Sequence, residues 1–263
     1  MTSRRTFLTM TAATGAAITI LPFASRAQGG GENVFPTDSG EIVVHPIEHA
    51  SFVMETPVGV IIVDPVGDPS LYADFPDPDL ILITHEHGDH FNQETLDAIS
   101  SARTQMIVNT AVYDMLPEAM RAMTQQMGNG ETTDVLGFDV EAVPAYNITE
   151  GRLDYHPMGR DNGYILSIDG LRIYIAGDTE GTEEMRALDE IDIAFVPMNL
   201  PFTMDATQAA DAVAAFAPAY VYPYHYRGRD GGTQDPQEFA QLLGETDAGT
   251  EVRIGEWYPN GMG

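Results

Sequence analysis

The chain contains no cysteine and no lysine, and its 12 basic residues are all arginine. Without cysteine, disulfides, thiolate metal sites, iron–sulfur clusters and cysteine nucleophiles are all excluded. Against those arginines stand 40 acidic residues, so the formal net charge is -28. Binding to nucleic acid or to anionic membranes requires basic patches, so neither is expected. Any metal in this protein must therefore be held by histidine and carboxylate side chains.

The first 27 residues have the layout of a secretory signal: paired arginines, an uncharged stretch, then small residues suited to cleavage. The segment from Ser3 to Leu8 (SRRTFL) resembles the twin-arginine variety, which predicts export to the periplasm and no stable membrane association after cleavage. An ordinary N-terminal helix or an uncleaved anchor is the alternative, but the stretch is short for a span of about 20 residues. The Gly-rich residues 28–40 are then expected to form a flexible linker before one domain at 41–263.

Short β-branched runs alternate with helical segments from Glu41 onward, which predicts an α/β domain. Hydrophobic residues make up 43% of the chain, which is enough for a substantial core. Strands are expected at 41–45, 51–55, 59–64, 80–84, 105–108, 139–143, 163–168, 172–176, 193–196 and 220–224. Helices are expected at 93–100, 111–122, 183–187, 205–217 and 236–245. No G-x-G-x-x-G motif follows a strand, so a dinucleotide-binding fold is not supported.

The most informative segment is LILITHEHGDH, in which an apolar strand is followed at once by potential metal ligands. These ligands are His85, His87, Asp89 and His90. Residues two apart in an extended segment project to the same side, so His85 and His87 can chelate one ion. A turn at Gly88 would aim Asp89 and His90 at another point. Imidazole and carboxylate suit zinc, and iron or manganese nearly as well. A polar loop with histidines present by chance is the plainer alternative, and the dense spacing argues against it.

The pattern His85-x-His87-x-Asp89-His90 resembles the signature of the metallo-β-lactamase fold superfamily of hydrolases. Three further positions match that family in order: Asp64 after the strand IIV, Asp178 in a Gly-Asp-Thr segment, and His225 after the strand YVYPY. Taken alone, Asp178 would be read as a turn carboxylate and His225 as a half-buried histidine. The segments HASFVMETPVGVIIVDPV and IYIAGDT resemble, more narrowly, the branch of ascorbate-phosphate lactonases and related hydrolases, and resemble true β-lactamases less.

This resemblance implies a four-layer αββα sandwich and two divalent metal ions, with zinc expected first and manganese or iron as alternatives. Asp178 would bridge the ions, and Asp64 would support the metal site from behind its ligands. The expected reaction is attack by a metal-held hydroxide on an ester, lactone or phosphoester bond of a small-molecule substrate. In that reaction Asp89 and Asp178 are the catalytic carboxylates, with Asp89 also a plausible proton acceptor.

One position departs from the family pattern. Asn147 stands where the family supplies a third histidine to the first metal, and an amide oxygen is a poor zinc ligand. His156, nine residues further along, could take that role, or the site could be completed by water. A weakened first site would favour a different function, that of an exported metal-binding protein with a redox or sensing role and no hydrolysis.

Other side chains could reach the same cleft. His49 could contact substrate or support a ligand, and Tyr146 could aim its hydroxyl at substrate, although a buried aromatic is the simpler interpretation. Arg160 and Arg227 could receive a substrate anion, although a surface salt bridge is the simpler role for each. Specificity is expected to lie in the loops at 147–160 and 198–204, which carry no recognisable code.

Overall fold

The computed structural model describes residues 33–258, and the predicted signal peptide at 1–27 lies outside this range. Within it, two mixed sheets of seven strands pack face to face, with helices against their outer faces. The first sheet has the order β1-β2-β3-β4-β5-β6-β7 and the second β14-β13-β12-β11-β10-β9-β8. This arrangement confirms the predicted four-layer α/β sandwich.

The first sheet and its helices come from the first half of the chain. Its strands are β1 Val34–Pro36, β2 Glu41–Glu48, β3 Ser51–Thr56, β4 Gly59–Val63, β5 Leu80–Ile83, β6 Gln105–Val108 and β7 Thr124–Gln126. Its helices are a 3-10 turn at Pro69–Tyr72, then α1 Gln93–Ile99, α2 Thr110–Met115 and α3 Glu118–Arg121.

The second sheet and its helices come from the second half. Its strands are β8 Thr132–Val135, β9 Phe138–Ala145, β10 Asp161–Ile168, β11 Leu171–Ile175, β12 Ile193–Pro197, β13 Tyr220–Tyr224 and β14 Glu251–Val252. Its helices are α4 Glu183–Arg186, α5 Ala206–Phe216 and α6 Pro236–Gly244. Helix α5 begins with a capping box in which Asp205 and Gln208 exchange hydrogen bonds.

Strand β5 shows why the central strands are apolar throughout. Leu80 and Leu82 belong to the core between the sheets, whereas Ile81 and Ile83 belong to the core under the helices. Side chains alternate between the two faces of a strand, so a strand covered on both faces needs a continuous apolar run. That run carries β5 through the middle of the sandwich and delivers the following loop to its edge.

Aromatic rings join the two sheets. Phe52 of β3 stacks on Phe195 of β12 with ring centroids 4.1 Å apart, and Trp257 meets both rings edge-on. The Trp257 side chain is fully buried. Such pairs stabilise the sandwich beyond their buried area, and they fix the two halves of the chain in one relative position.

The prediction of a flexible linker at 28–40 is wrong for the later residues of that range. Val34–Pro36 forms strand β1, which pairs antiparallel with β2, and Phe35 is buried in the core. Asn33 accepts a hydrogen bond from the Tyr222 hydroxyl at 2.9 Å. The folded domain therefore begins before Glu41, because a short edge strand completes the first sheet.

The single helix predicted at 111–122 is also wrong. Helix α2 ends at Met115 and α3 begins at Glu118, because Pro117 lacks a backbone N–H and disfavours helical geometry in the residue before it. Leu116 is accordingly extended, with ψ 142°. Strands β7, β8 and β14 have no counterpart in the predicted elements. Among residues 33–258, no helix combines the length and the apolar character needed to cross a bilayer.

Candidate active site

The loops at one edge of the sandwich bring all the predicted metal ligands together. These ligands lie after β5 (His85, His87, Asp89 and His90), in the β9–β10 loop (His156), after β11 (Asp178) and after β13 (His225). His49, which was predicted to contact substrate or to support a ligand, joins them from the β2–β3 turn. Several of these loops follow the carboxyl ends of strands, where ligand-binding residues of α/β sheets gather. The donors thus come from both sheets.

His85, His87 and His156 form one set of donors, whose ligand atoms all lie within 4.8 Å of one another. Nε2 of His85 lies 3.1 Å from Nδ1 of His87. The geometry places His156, and not Asn147, beside the two histidines of the motif. Three imidazoles around one point are a common donor set for a zinc ion that keeps a further position for water or substrate.

Two more donor sets lie beside the first. His49, Asp89 and His225 form one, and His85, His90 and Asp178 form the other, each within the same 4.8 Å limit.

The carboxylate of Asp178 stands between these sets. One oxygen lies 3.4 Å from Nε2 of His156 and 3.6 Å from Nε2 of His225, and the other lies 3.4 Å from Nε2 of His90. A carboxylate in this position can serve two ions at once.

Several of these atoms are buried yet lack a hydrogen-bond partner within the described part of the chain. They are Nε2 of His90, His156 and His225 and Oδ1 of Asp178. An unsatisfied buried polar group costs about 1–3 kcal/mol, so each such group calls for an explanation. Divalent cations among these atoms would satisfy all of them, and the residues present therefore fit a metal centre.

Asp64 orients His90 from behind. Its Oδ2 lies 2.7 Å from Nδ1 of His90 and accepts a hydrogen bond from the Thr84 hydroxyl, while its Oδ1 accepts from the Thr84 backbone N–H. A carboxylate on Nδ1 fixes the tautomer and leaves Nε2 free to bind metal. Asp64 thus supports the ligands without facing the cavity.

Two other imidazoles contact neutral groups through Nδ1. Nδ1 of His225 lies 2.6 Å from the side-chain amide of Asn199, and Nδ1 of His49 lies 2.6 Å from the Tyr258 hydroxyl. Nε2 of His49 then lies 3.3 Å from Asp89. His49 is therefore placed to bind an ion or to exchange a proton with Asp89, whereas the sequence predicted a substrate contact or support for a ligand.

Backbone conformation at the site is unusual. His49, Asp64 and His225 all have left-handed φ values, of 57°, 44° and 52°. Residues with a Cβ pay about 1–3 kcal/mol for sparsely populated conformations, which cluster at functional sites. Gly177 has φ 65° and lies so close to strand β10 that a Cβ would stand 2.9 Å from the carbonyl oxygen of Asn162. This position therefore requires glycine immediately before Asp178.

Burial favours the neutral imidazole at His49 and His156, and Asp178 is ionised. Burial, with the nearby His225, lowers the pKa of His49 to about 4, and burial likewise lowers the pKa of His156 to about 4. Burial acts against ionisation of Asp178, but His225 and His90 outweigh it and hold the pKa of that carboxyl well below its usual value. Neutral imidazole and ionised carboxylate are the forms that bind metal.

His90 differs from His49 and His156. Burial opposes its protonation, but the carboxylates of Asp178 and Asp64 outweigh burial and raise the pKa of His90 well above its usual value. These buried carboxylates therefore require a compensating positive charge, which a proton on His90 or a bound cation can supply.

The donors open onto a cavity of about 560 Å³. Its aromatic wall comes from the two loops predicted to carry specificity: Tyr155 and Phe202 meet edge-to-face with ring centroids 5.0 Å apart. Arg227 and Arg229 also line it. The cavity can therefore hold a small molecule against the metal donors.

Two residues predicted to face the cleft do not line this cavity. Tyr146 is a buried aromatic, as the simpler interpretation predicted, and it donates its hydroxyl to Glu184 at 2.8 Å instead of turning it toward a substrate. Its backbone instead holds Thr179 through hydrogen bonds of 3.0 Å. The amide nitrogen of Asn147 donates to the carbonyl oxygens of Arg152 and Phe202, at 3.0 Å and 2.7 Å. Asn147 thus fastens the two specificity loops together.

Sequence reasoning missed Asn199 and Tyr258, which orient His225 and His49. Neither belongs to a motif, and each reaches the site through the fold, Asn199 after β12 and Tyr258 near the end of the described chain. Thr84, also missed, had a usable signal, since it immediately precedes His85 at the end of an apolar strand.

Comparison with known proteins agrees with this geometry. The beta-lactamase superfamily domain matches residues 44–225. A UPF0173 metal-dependent hydrolase of Pyrococcus abyssi is 34% identical over 219 residues, which cover 79% of this chain and 95% of the relative. The corresponding protein of Thermococcus kodakarensis is 36% identical over 209 residues, which cover 75% and 90%.

A solved structure is similar over a comparable extent. A protein from Parabacteroides distasonis, provisionally named a metal-dependent hydrolase, is 42% identical with a TM-score of 0.72, covering 86% of this chain and 98% of its own. The chain therefore belongs to the UPF0173 metal-dependent hydrolase family of the β-lactamase superfamily.

Proposed function

We propose that this protein is an exported hydrolase that uses two divalent ions, zinc in the first instance, to cleave an ester, lactone or phosphoester bond in a small molecule. The observation that carries the proposal is the position of Asp178, whose carboxylate lies within 3.6 Å of Nε2 atoms from His156 and His225 and 3.4 Å from Nε2 of His90. Such a carboxylate can join two metal sites.

The first ion would be held by His85, His87 and His156, with Asp178 shared. The second would be held by Asp89, His90 and His225, with Asp178 again and with His49 within reach. When bound, two such ions lower the pKa of water toward neutrality and stabilise negative charge on the oxygen of the bond under attack.

The chain itself supplies a proton acceptor beside the cavity. The side chain of Asp89 is 50% exposed, and its Oδ2 lies 3.3 Å from His49 and 3.4 Å from His225. The nearby imidazoles of His225 and His49 outweigh burial and lower the pKa of Asp89, so the carboxylate is ionised at neutral pH, the form that a metal ligand or a proton acceptor must have. His49, hydrogen-bonded to Tyr258, is placed to pass that proton on.

The alternative of a non-hydrolytic metal-binding protein was motivated by Asn147. With His156 beside His85 and His87, a complete donor set is available without a histidine at 147. The hydrolytic proposal therefore has the stronger support.

Hydrolysis is tested with the metal-loaded protein on a panel of chromogenic esters, lactones and phosphodiesters. Lactones are included because the β3–β4 and β11 segments resemble the lactonase branch. Asp178→Ala and chelator treatment should each lower turnover by at least about 100-fold, since both remove the metal centre. Asp97→Ala, at an exposed position on α1, is the matched control and should keep full activity. Turnover that survives both treatments would refute the proposal.

Export is proposed on the leader sequence alone. Replacing Arg4 and Arg5 with lysine should retain the protein in the cytoplasm, because the twin-arginine route reads that pair. Cell fractionation of the two forms measures this, and equal periplasmic recovery would contradict it.

A further inference from the structure

The cavity wall carries a charge opposite to that of most of the surface. In a chain with 40 acidic and 12 basic residues, Arg227 and Arg229 both line the cavity that contains Asp178 and His225. They flank Gly228, immediately beyond the strand that delivers His225.

Six arginines in residues 33–258 form ion pairs with carboxylates. These pairs are Arg103–Asp77, Arg152–Glu180, Arg160–Asp161, Arg172–Asp189, Arg186–Asp211 and Arg253–Glu251. Arg160 also pairs with Glu86, so it is not available for the substrate anion that the sequence allowed. Arg229, by contrast, is exposed and forms no ion pair with any residue in this range.

Arg227 is held at the cavity by an aromatic ring. Its guanidinium carbon lies 4.5 Å from the centroid of the Tyr258 ring, and its backbone N–H donates to the Tyr258 hydroxyl at 3.2 Å. These two contacts hold the Arg227 side chain against Tyr258 at the wall of the cavity.

The loop that carries both arginines is a closed turn. The Gly228 N–H donates to the Thr233 hydroxyl at 3.2 Å, that hydroxyl donates back to the Gly228 carbonyl at 3.1 Å, and the Gly232 N–H donates to the Arg229 carbonyl at 2.7 Å. A loop with its backbone paired in this way loses less entropy when a ligand binds.

We propose that Arg227 and Arg229 form a subsite for an anionic group, a carboxylate or a phosphate, carried by the substrate beside the bond that is cleaved. This rests on the hydrolase function proposed above. Guanidinium groups bind the planar oxygens of such anions through paired, charge-assisted hydrogen bonds. The acidic surface repels anions at long range, so a local cationic pair is what would retain an anionic substrate.

The test uses two esters with the same leaving group and similar acyl length, 4-nitrophenyl butyrate and 4-nitrophenyl hemisuccinate, which differ by a terminal carboxylate. Arg229→Gln should raise KM for the hemisuccinate about fivefold, and Arg227→Gln/Arg229→Gln about thirtyfold. The butyrate KM should change less than about twofold in either variant. Arg103→Gln removes the same charge at an exposed position that is distant in sequence, and it should change the KM of neither ester. An equal rise in KM for both esters would overturn the proposal of an anion subsite.

A binding measurement separates the subsite from the chemistry. Calorimetric titration of the zinc-loaded protein with succinate and with inorganic phosphate should give a Kd at least about fivefold weaker in the double variant for the anion that the subsite accepts. An unchanged Kd for both anions would overturn the proposal, even if neither ester is turned over. If neither ester is turned over but anion binding weakens only in the arginine variants, the hydrolase function on these esters is refuted. The anion subsite is then retained. Matching melting temperatures will show that the variants are folded.

Discussion

Asn147 and His156 are joined at two points: Oδ1 of Asn147 lies 3.3 Å from Nδ1 of His156, and the Asn147 backbone N–H donates to the His156 carbonyl at 2.8 Å. The first contact turns Nε2 of His156 toward Asp178, and the second closes the loop between them. The residue at the position where a histidine is expected therefore orients a histidine that arrives from further along the chain.

Removing this support should weaken metal binding. Asn147→Ala should lower zinc affinity by about 10- to 100-fold, the usual effect of losing a group that orients a ligand, and His156→Ala should remove one equivalent of metal. Competition with a chromogenic chelator and metal analysis measure both. The matched control is Asn129→Ala, which loses a half-buried amide bonded to Asn162. If Asn147→Ala binds zinc like that control, the orienting role is wrong.

Asp64→Asn should affect both stability and metal. The change removes a charge that holds His90 and Thr84 in a fully buried position, so the free energy of unfolding should fall by about 2 kcal/mol. Zinc affinity should also fall, because the tautomer of His90 is no longer fixed. Urea unfolding of the metal-free protein and zinc titration measure the two effects. Stability and affinity equal to those of Asp97→Asn would contradict this prediction.

Gly177→Ala tests the close approach before Asp178. A Cβ at Gly177 would meet the Asn162 carbonyl at 2.9 Å, whereas a Cβ at Gly130, which has φ 81°, would have no neighbouring atom within 4 Å. Gly130→Ala should therefore lower the free energy of unfolding by about 1 kcal/mol, because only the left-handed conformation is unfavourable for alanine there. Gly177→Ala should lower it by about 2–4 kcal/mol, because the added methyl group also meets the backbone. Denaturant unfolding compares them. Equal costs would show that strand β10 yields to the added methyl.

The metal-free protein should lose stability on acidification. The pKa values of His49 and His156 are lowered to about 4, so between pH 6.5 and 4 the unfolded chain binds more protons than the folded one. Stability therefore falls as pH falls through this window, by up to about 3 kcal/mol for each histidine. His90 is charged in both states there and adds little slope. Urea unfolding with chelator at pH 7, 6 and 5 measures the effect, and His49→Gln should flatten it. A slope unchanged by that variant would exclude His49 as a source.

Local signals were sufficient for the main features of the fold and for the donors of the HEHGDH segment, whereas Asp178 and His225 were recognised only through the ordered resemblance to a family. The run Leu80–Ile83 could only be a strand covered on both faces, so the motif after it had to emerge at the edge of a sheet. Asp178 and His225 follow similar runs. At each of these positions only a few residues separate the end of the strand from the ligand, so the loop can adopt few conformations.

The remaining features depend on long-range packing. The sequence left open whether His156 or water would replace the missing histidine, because a long loop can place its ninth residue almost anywhere. The direction of Tyr146 depends on how β9 meets α4. Strand β1 was mistaken for linker because its three residues become a strand only by pairing with β2. Tyr258 reaches His49 across 209 positions of sequence, which no local pattern reports.

The aromatic contact between Phe52 and Phe195 joins two sheets that are each built from one half of the chain. Within each half, neighbouring strands are also consecutive in sequence, so each sheet can form from mostly local pairings. During synthesis the first sheet would be complete, with His85, His87 and His90 on its edge, before Asp178 and His225 exist. Neither half holds a full donor set. High-affinity metal uptake should therefore be among the last events of maturation and should report that the two halves have docked.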